Sequence, residues 1–379
     1  MKKIILLLSV TLAAACGKSA VDTDKIASLA SEQCRIMEQV LPEGTMPRTF
    51  ENGKLVTSDL RWWCAGFYPG ICWYTYKLGG DTKELALNQT AKLLDVNKLS
   101  QDHDIGYQLI TSVAHAYRET GDSKYLPILE EGATRLAARF SPVVGATMSW
   151  TWEGRFPVIV DNLINLELLT YASKLFDRPE WKEIAITHTW TTLKNHFRDD
   201  YSCYHLVDFD PADGSVKEKI THQGYTNDSA WSRGQSWALY GFTMMYRETG
   251  VPEFLVQAEN VASFLLSKLK ERPIPNWDYD APQQADDASA AAIMASAFLE
   301  LSLYAADRNT SDIYWNQAEV ILRELSSDKY LCKEGEYAGF LLKHSVGHYA
   351  IDNEVDVPLL HADYYFLEAL YRWKTMRSR

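Results

Sequence analysis

Three stretches of the chain hold side chains whose types and spacing could do chemistry. The first is Ser100-Gln101-Asp102-His103-Asp104-Ile105-Gly106-Tyr107, at the head of a helical pattern. Free N–H groups and the helix dipole stabilise a carboxylate at a helix N-terminus, so Asp102 reads as a cap. Asp104 lies farther into the turn, beside Gly106, where another group can approach closely. The second stretch, Phe156 to Asn165, sets Asp161 in apolar surroundings at a helix start. Counting on by three, four, seven and eight reaches Ile164, Asn165, Leu168 and Leu169, so Asp161 shares a face with apolar residues and one amide. Burying an unpaired charge is costly, which leaves two readings. Either Asn165 and nearby N–H groups satisfy a buried aspartate, or desolvation keeps Asp161 protonated as a general acid. The third stretch is Asp228 to Trp237, with Arg233 and Trp237 four apart beside Gly234. A guanidinium can grip a carboxylate at two points, and an indole offers a flat face to a sugar ring. Together they would suit a sugar acid; the alternative is an Arg–Trp stack in the core. His205 and His222-Gln223-Gly224-Tyr225 fall in loop-like sequence, free to donate to hydroxyls or simply to face water.

Other chemistries lack their motifs. The sequence has no Gly-x-Ser-x-Gly elbow, phosphate loop or dinucleotide fingerprint, and its nine histidines show no zinc spacing. No cofactor or metal is therefore expected. A net charge of −12 repels phosphate backbones and argues against nucleic-acid partners. Twelve Trp and 21 Tyr raise the sugar hypothesis, because their rings combine apolar faces with polar tips.

Positioning such residues falls to helices. Tyr-rich apolar segments repeatedly end in a cation followed by Gly or Asp: Tyr76-Lys77-Leu78-Gly79, Tyr117-Arg118-Glu119-Thr120-Gly121, Tyr171 to Asp177, Tyr246-Arg247-Glu248-Thr249-Gly250 and, more faintly, Tyr304 to Arg308. A cation in the last turn with a left-handed cap beyond it is a helix stop. The stops recur at about the length of a helical hairpin with its loops. Between them apolar residues keep helical spacing, as at Leu109, Val113, Ala116 and Tyr117. Strand-like alternation is confined to pieces such as 202–209. Hairpins without a linker predict one domain, either a solenoid or a closed (α/α)6 toroid. Loops at 208–214 and 272–287 are expected to shape a cleft. Lys343 to His348 reads as a weakly basic, solvated loop.

Residues 1–16 read as an export leader: Lys2 and Lys3, an apolar run to Leu12, then Ala13-Ala14-Ala15 before Cys16. Cys16 sits where a bacterial lipoprotein is processed and lipidated, although Ala13 replaces the usual Leu. Residues 17–379 would then act outside the cytoplasm, periplasmic or anchored, with Cys16 as the sole membrane link. The remaining five cysteines read mostly as buried thiols, with a Cys64–Cys72 bridge as the one pairing considered.

The ordered set Gly66-Phe67-Tyr68-Pro69-Gly70, His103 to Tyr107, Phe156 to Leu169, Gln223-Gly224-Tyr225, Ser232 to Trp237 and Ala362 to Leu370 resembles glycoside hydrolase family 88, the unsaturated glucuronyl hydrolases. The resemblance implies an all-α (α/α)6 barrel. It also implies removal of a 4,5-unsaturated uronic acid from the non-reducing end of oligosaccharides left by polysaccharide lyases. An acid protonates C4 of the enol ether and water adds at C5, unlike displacement at the anomeric carbon. By motif position, Asp161 is then the acid and base and Asp104 the second carboxylate. Arg233, Trp237, His205 and Gln223 would contact the sugar, with Tyr68 where many relatives are expected to carry Trp. Two alternatives stay open: an unsaturated rhamnogalacturonyl hydrolase acting on pectin fragments, and a non-catalytic glycan-binding lipoprotein.

Overall fold

The computed structural model describes residues 21–270 and 272–376. The leader reading at 1–16 lies outside them. The helices come in pairs along the chain: α1 (Thr23–Val40) with α2 (Phe67–Lys77), α3 (Lys83–Ala91) with α4 (Ile105–Ile110) and α5 (Val113–Thr120), and α6 (Leu126–Ala137) with α7 (Asn162–Phe176). They continue as α8 (Pro179–Asn195) with α9 (Ser232–Thr249), α10 (Pro252–Lys268) with α11 (Ala288–Leu301), and α12 (Arg308–Leu325) with α13 (Leu360–Met376). The second member of each pair is the more deeply buried: α9, α11 and α13 have almost no exposed residues. The first members, such as α1 and α12, bury one stripe and leave the other in water, as amphipathic outer helices must.

Packing between inner helices runs from α2 to α4–α5, α7, α9, α11 and α13, and α13 returns to α2. The ring is closed, so the chain is an (α/α)6 barrel and not an open solenoid. Six inner helices run the same way, which gathers their N-termini at one end. Left-handed caps end three of them where the sequence predicts, with φ of +67° at Gly121, +53° at Asp177 and +72° at Gly250.

The expected single helix through Leu109 and Tyr117 is broken at Thr111–Ser112. Thr111 Oγ1 donates to the Tyr107 carbonyl at 2.7 Å, and Ser112 Oγ donates to that of Gln108. Such back-bonding competes with the helical ladder and bends it. Among the described residues, four small antiparallel sheets sit among the loops: β1 (Met46–Glu51) with β2 (Lys54–Ser58), β3 (Phe140–Ser141) with β4 (Ala146–Thr147), β5 (Phe156–Ile159) with β6 (Leu206–Phe209) and β7 (Val216–Ile220), and β8 (Ser345–His348) with β9 (Asn353–Val357). All five described cysteines are free and buried. Cys72 lies against Cys34, its Sγ 3.9 Å from the other, so the Cys64–Cys72 bridge does not form.

Candidate active site

The inner N-termini converge on a cavity of about 220 Å³. Asp104 and Asp161 stand immediately before α4 and α7, and Arg233 sits in the first turn of α9. All three line the cavity, together with Gln223. Sites for drug-sized ligands are larger, about 300–1,000 Å³, so the cavity suits one sugar ring better than a chain.

Asp161 is 9 % exposed and its Oδ2 has no hydrogen-bond partner within the protein. Burial raises its pKa from 3.8 to about 7, against the pull of Arg233. The reading in which Asn165 satisfies Asp161 does not hold. Asn165 turns instead to the other carboxyl: its Oδ1 accepts from the Tyr107 N–H at 2.7 Å, and its amide nitrogen lies 3.4 Å from Asp104 Oδ1. That close approach requires Gly106, where a Cβ would come within 2.7 Å of the Asn165 Cα. Burial, and then the charges of Asp102 and Asp161, hold the Asp104 carboxyl well above its ordinary range.

His205 stands behind Asp161. Its Nδ1 accepts N–H bonds from His222 and Gln223, each 3.1 Å, which leaves the ring proton on Nε2. Nε2 points at Asp161 Oδ2 across 3.6 Å. Burial lowers the His205 pKa well below its usual value, so the ring is neutral. His205 is thus buried and not solvated, and its Nε2–H faces the buried acid from just beyond hydrogen-bond distance.

Arg233 differs from the free fork expected of it. One Nη lies 3.3 Å from Asp287 and donates to the Val346 carbonyl; the other donates to the Gly347 carbonyl at 2.7 Å. Its guanidinium rests on Trp231, 4.4 Å from the ring centre, and not on Trp237. Arg233 is thus a fixed positive charge in the wall. Gln223 likewise donates to the Gly347 carbonyl, at 2.9 Å. The segment read as a solvated loop at Lys343 to His348 is therefore a structural wall: β8 supplies those carbonyls, and His348 lines the cavity. The loops at 208–214 and 272–287 do not line it; the latter contributes from behind through Asp287.

Besides His205, two further expected residues lie outside the cavity lining. Trp237, one turn below Arg233, packs against Tyr107 and Tyr365 with ring centres 5.5 and 5.3 Å apart. It supports Tyr107, which does line the cavity. Tyr68 faces the outer layer, where its hydroxyl donates to the Cys34 carbonyl at 3.1 Å; α2 turns that side of the helix toward α1. The sequence reading missed Arg48, Trp62, Trp63, Trp150, Glu354 and His361, all in the lining. Arg48 donates to Glu354 at 2.5 Å and covers Trp62 at 4.2 Å. The Trp62-Trp63 pair was a readable signal; Arg48 had none, because it reaches in from β1.

The result is a socket with two guanidinium groups in its walls and carboxyls that burial raises at Asp104, Asp161 and Glu354. Inner-helix N-termini add positive potential. Such a socket suits an anion that accepts a proton. Among the described residues, no group of three or more His, Cys, Asp or Glu is placed to hold a metal ion.

Comparison with known proteins gives the chain its place. No family model matches it. It is 39% identical over 323 residues to an unsaturated glucuronyl hydrolase of Formosa agariphila, covering 82% of this chain and 79% of that one. It is 29% identical over 367 residues to an unsaturated chondroitin disaccharide hydrolase of Streptococcus pyogenes, covering 93% and 91%. A crystal structure of an unsaturated glucuronyl hydrolase specific for heparin superposes with a TM-score of 0.89 at 43% identity, over 94% of this chain and 98% of that one. The ring of inner helices, the socket at its N-terminal end and these likenesses agree, and the chain belongs to the unsaturated glucuronyl hydrolases, glycoside hydrolase family 88.

Proposed function

We propose that this enzyme removes a 4,5-unsaturated uronic acid from the non-reducing end of glycosaminoglycan-type oligosaccharides produced by lyases. The observation that carries the reading is Asp161: a carboxyl raised to about 7, without a protein hydrogen bond to Oδ2, lining a cavity of about 220 Å³ beside Arg233. A neutral carboxylic acid at working pH is what protonation of an enol ether requires.

In this reading the sugar carboxylate lies on the Arg233 side of the socket. Asp161 passes its proton to C4, and positive charge develops at C5 and the ring oxygen. Water adds at C5 and returns a proton to Asp161. The C5 hemiketal opens, the hemiacetal left at C1 collapses to an aldehyde, and the aglycone departs with its oxygen. His205 Nε2–H steadies the Asp161 carboxylate formed in the first step. Asp104, held by Asn165, hydrogen-bonds the ring and assists proton movement. Glucuronyl- and chondroitin-acting relatives support a glycosaminoglycan over a pectin fragment, and the paired carboxyls weigh against a mere binding protein.

We further propose that residues 1–16 direct export and that Cys16 carries a lipid; mass spectrometry of the mature N-terminus decides it. For the activity, a panel of lyase-generated disaccharides differing in linkage and sulfation is the test. Loss of the ultraviolet absorbance of the conjugated enol-ether carboxylate is expected for at least one member. No loss with any member, in folded protein, overturns the proposal.

A further inference from the structure

Cys34 and Cys72 form a contact that the catalytic reading leaves unused. The Cys72 thiol donates to the Cys34 sulfur across 3.9 Å, and both side chains are buried. They sit on different helices, α1 and α2, 38 residues apart in sequence. The other described thiols are placed elsewhere. Cys64 lines the socket, Cys203 donates to the Gly234 carbonyl at 3.6 Å, and the Cys332 N–H bonds to the Leu341 carbonyl at 2.8 Å.

Contacts that involve no sulfur hold the two backbones together around the pair. Tyr68, one turn before Cys72 on the same face of α2, donates its hydroxyl to the Cys34 carbonyl at 3.1 Å. One turn before Cys34, Ser31 approaches Gly80 so closely that a Cβ there would come within 2.4 Å of the Ser31 hydroxyl oxygen. On its other side α1 is tied down by Gln33, which donates to the Phe340 carbonyl at 2.6 Å and accepts from the Gly335 N–H at 2.9 Å. The placement of α1 against α2 is thus set whatever the state of the sulfurs. A disulfide bond is about 2.05 Å long, so each sulfur must move by about 1 Å. A small rotation about each Cα–Cβ bond supplies that.

We propose that Cys34 and Cys72 are a disulfide site, which staples the outer helix α1 to the inner helix α2. The bond forms by exchange with an incoming disulfide, carried by a thiol oxidoreductase or by a small molecule such as oxidised glutathione. One cysteine thiolate attacks it, forms a mixed disulfide and releases one thiol of the oxidant. The second cysteine attacks that mixed disulfide, closes the Cys34–Cys72 bond and releases the other thiol. Two electrons and two protons pass to the oxidant, which leaves as two thiols. Burial raises the Cys72 thiol well above its ordinary range, so the exchange belongs to folding, before α1 has docked. The inference is independent of the reaction and agrees with the proposed export, because disulfides persist outside the cytoplasm.

For the test, the full-length protein is refolded in a buffer of reduced and oxidised glutathione and, separately, purified from a host that exports it. Free thiols are alkylated under denaturing conditions, and the unreduced digest is read by mass spectrometry. A peptide pair joined through Cys34 and Cys72 in either preparation upholds the site. A bridge closing a loop of this length removes about 13 cal/mol/K of entropy from the unfolded chain. Over 379 residues the oxidised form should then melt about 5 °C above the reduced one. The difference should vanish in Cys34→Ala and in Cys72→Ala and persist in Cys332→Ala. Both cysteines alkylated in both preparations, or either one joined to a different partner, overturns the proposal. A joined pair that leaves the melting temperature unchanged overturns the staple.

Discussion

Replacing Asp161 by asparagine separates the charge of the site from its shape. Folding carries this carboxyl from 3.8 up to about 7, chiefly because burial strips it of water. The unfolded chain ionises first as pH rises, so native stability declines between those two values and the deficit is full above about 7. At about 1.4 kcal/mol per tenfold change in acidity, the deficit reaches about 4 kcal/mol at most. An amide never ionises and escapes it. Any pH-independent cost of the new amide group shifts both ends equally, so the difference between two pH values isolates the charge. Melting entropy is about 2.1 cal/mol/K per residue. For 379 residues, about 4 kcal/mol then corresponds to a gain of about 5 °C. The assay is scanning calorimetry of both proteins at about pH 8 and about pH 4, with turnover followed by ultraviolet absorbance. The variant should gain about 5 °C on its parent between the acid and alkaline measurements, and should not turn over substrate at either. A melting difference that is the same at both pH values shows that Asp161 ionises as it would in open water, and the argument for a proton donor then falls.

Other outcomes follow from the same contacts. Activity that needs protonated Asp161 should fall on the alkaline side, with kcat/KM halved near pH 7, where that carboxyl ionises. A bound uronate adds negative charge beside Arg233, so the limb in kcat should lie at higher pH; coincident limbs contradict that placement. Arg233→Ala strips the partner from Asp287, which is fully buried, and should cost about 3–5 kcal/mol besides raising KM; chemical denaturation measures the first and kinetics the second. Asn165→Ala frees the Tyr107 N–H and the Asp104 carboxyl, costs about 1–3 kcal/mol, and should lower kcat more than it changes KM. Gly106→Ala drives a methyl into the backbone of α7 and should cost about 1–3 kcal/mol with loss of turnover, read by melting and assay together.

The barrel was legible because several inner helices close with their own local signal. Tyr117-Arg118 before Gly121 and Tyr246-Arg247 before Gly250 are written within five residues, and helical hairpins follow from them. Asp161 and Asp104 were legible for a related reason, since a carboxyl at a helix start amid apolar residues needs an explanation. Arg233 was found but its partners were not. Asp287, Val346 and Gly347 lie 54, 113 and 114 residues away in sequence, and nothing near position 233 announces them. Trp237 and Tyr68 show the opposite failure: helical spacing places them on a face, but which face looks inward depends on the ring's closure. The break at Thr111–Ser112 was hidden because hydroxyl back-bonding leaves the apolar period intact. Arg48 arrives on a strand from outside the barrel, a purely tertiary event.

A difference-infrared titration observes the proton at position 161 directly. Spectra of the enzyme minus those of Asp161→Asn contain the carbonyl stretch of this one carboxylic acid. The stretch should persist through mildly acidic pH and vanish with a midpoint near 7. A midpoint near 4, that of an ordinary solvated carboxylate, would contradict the account at its centre.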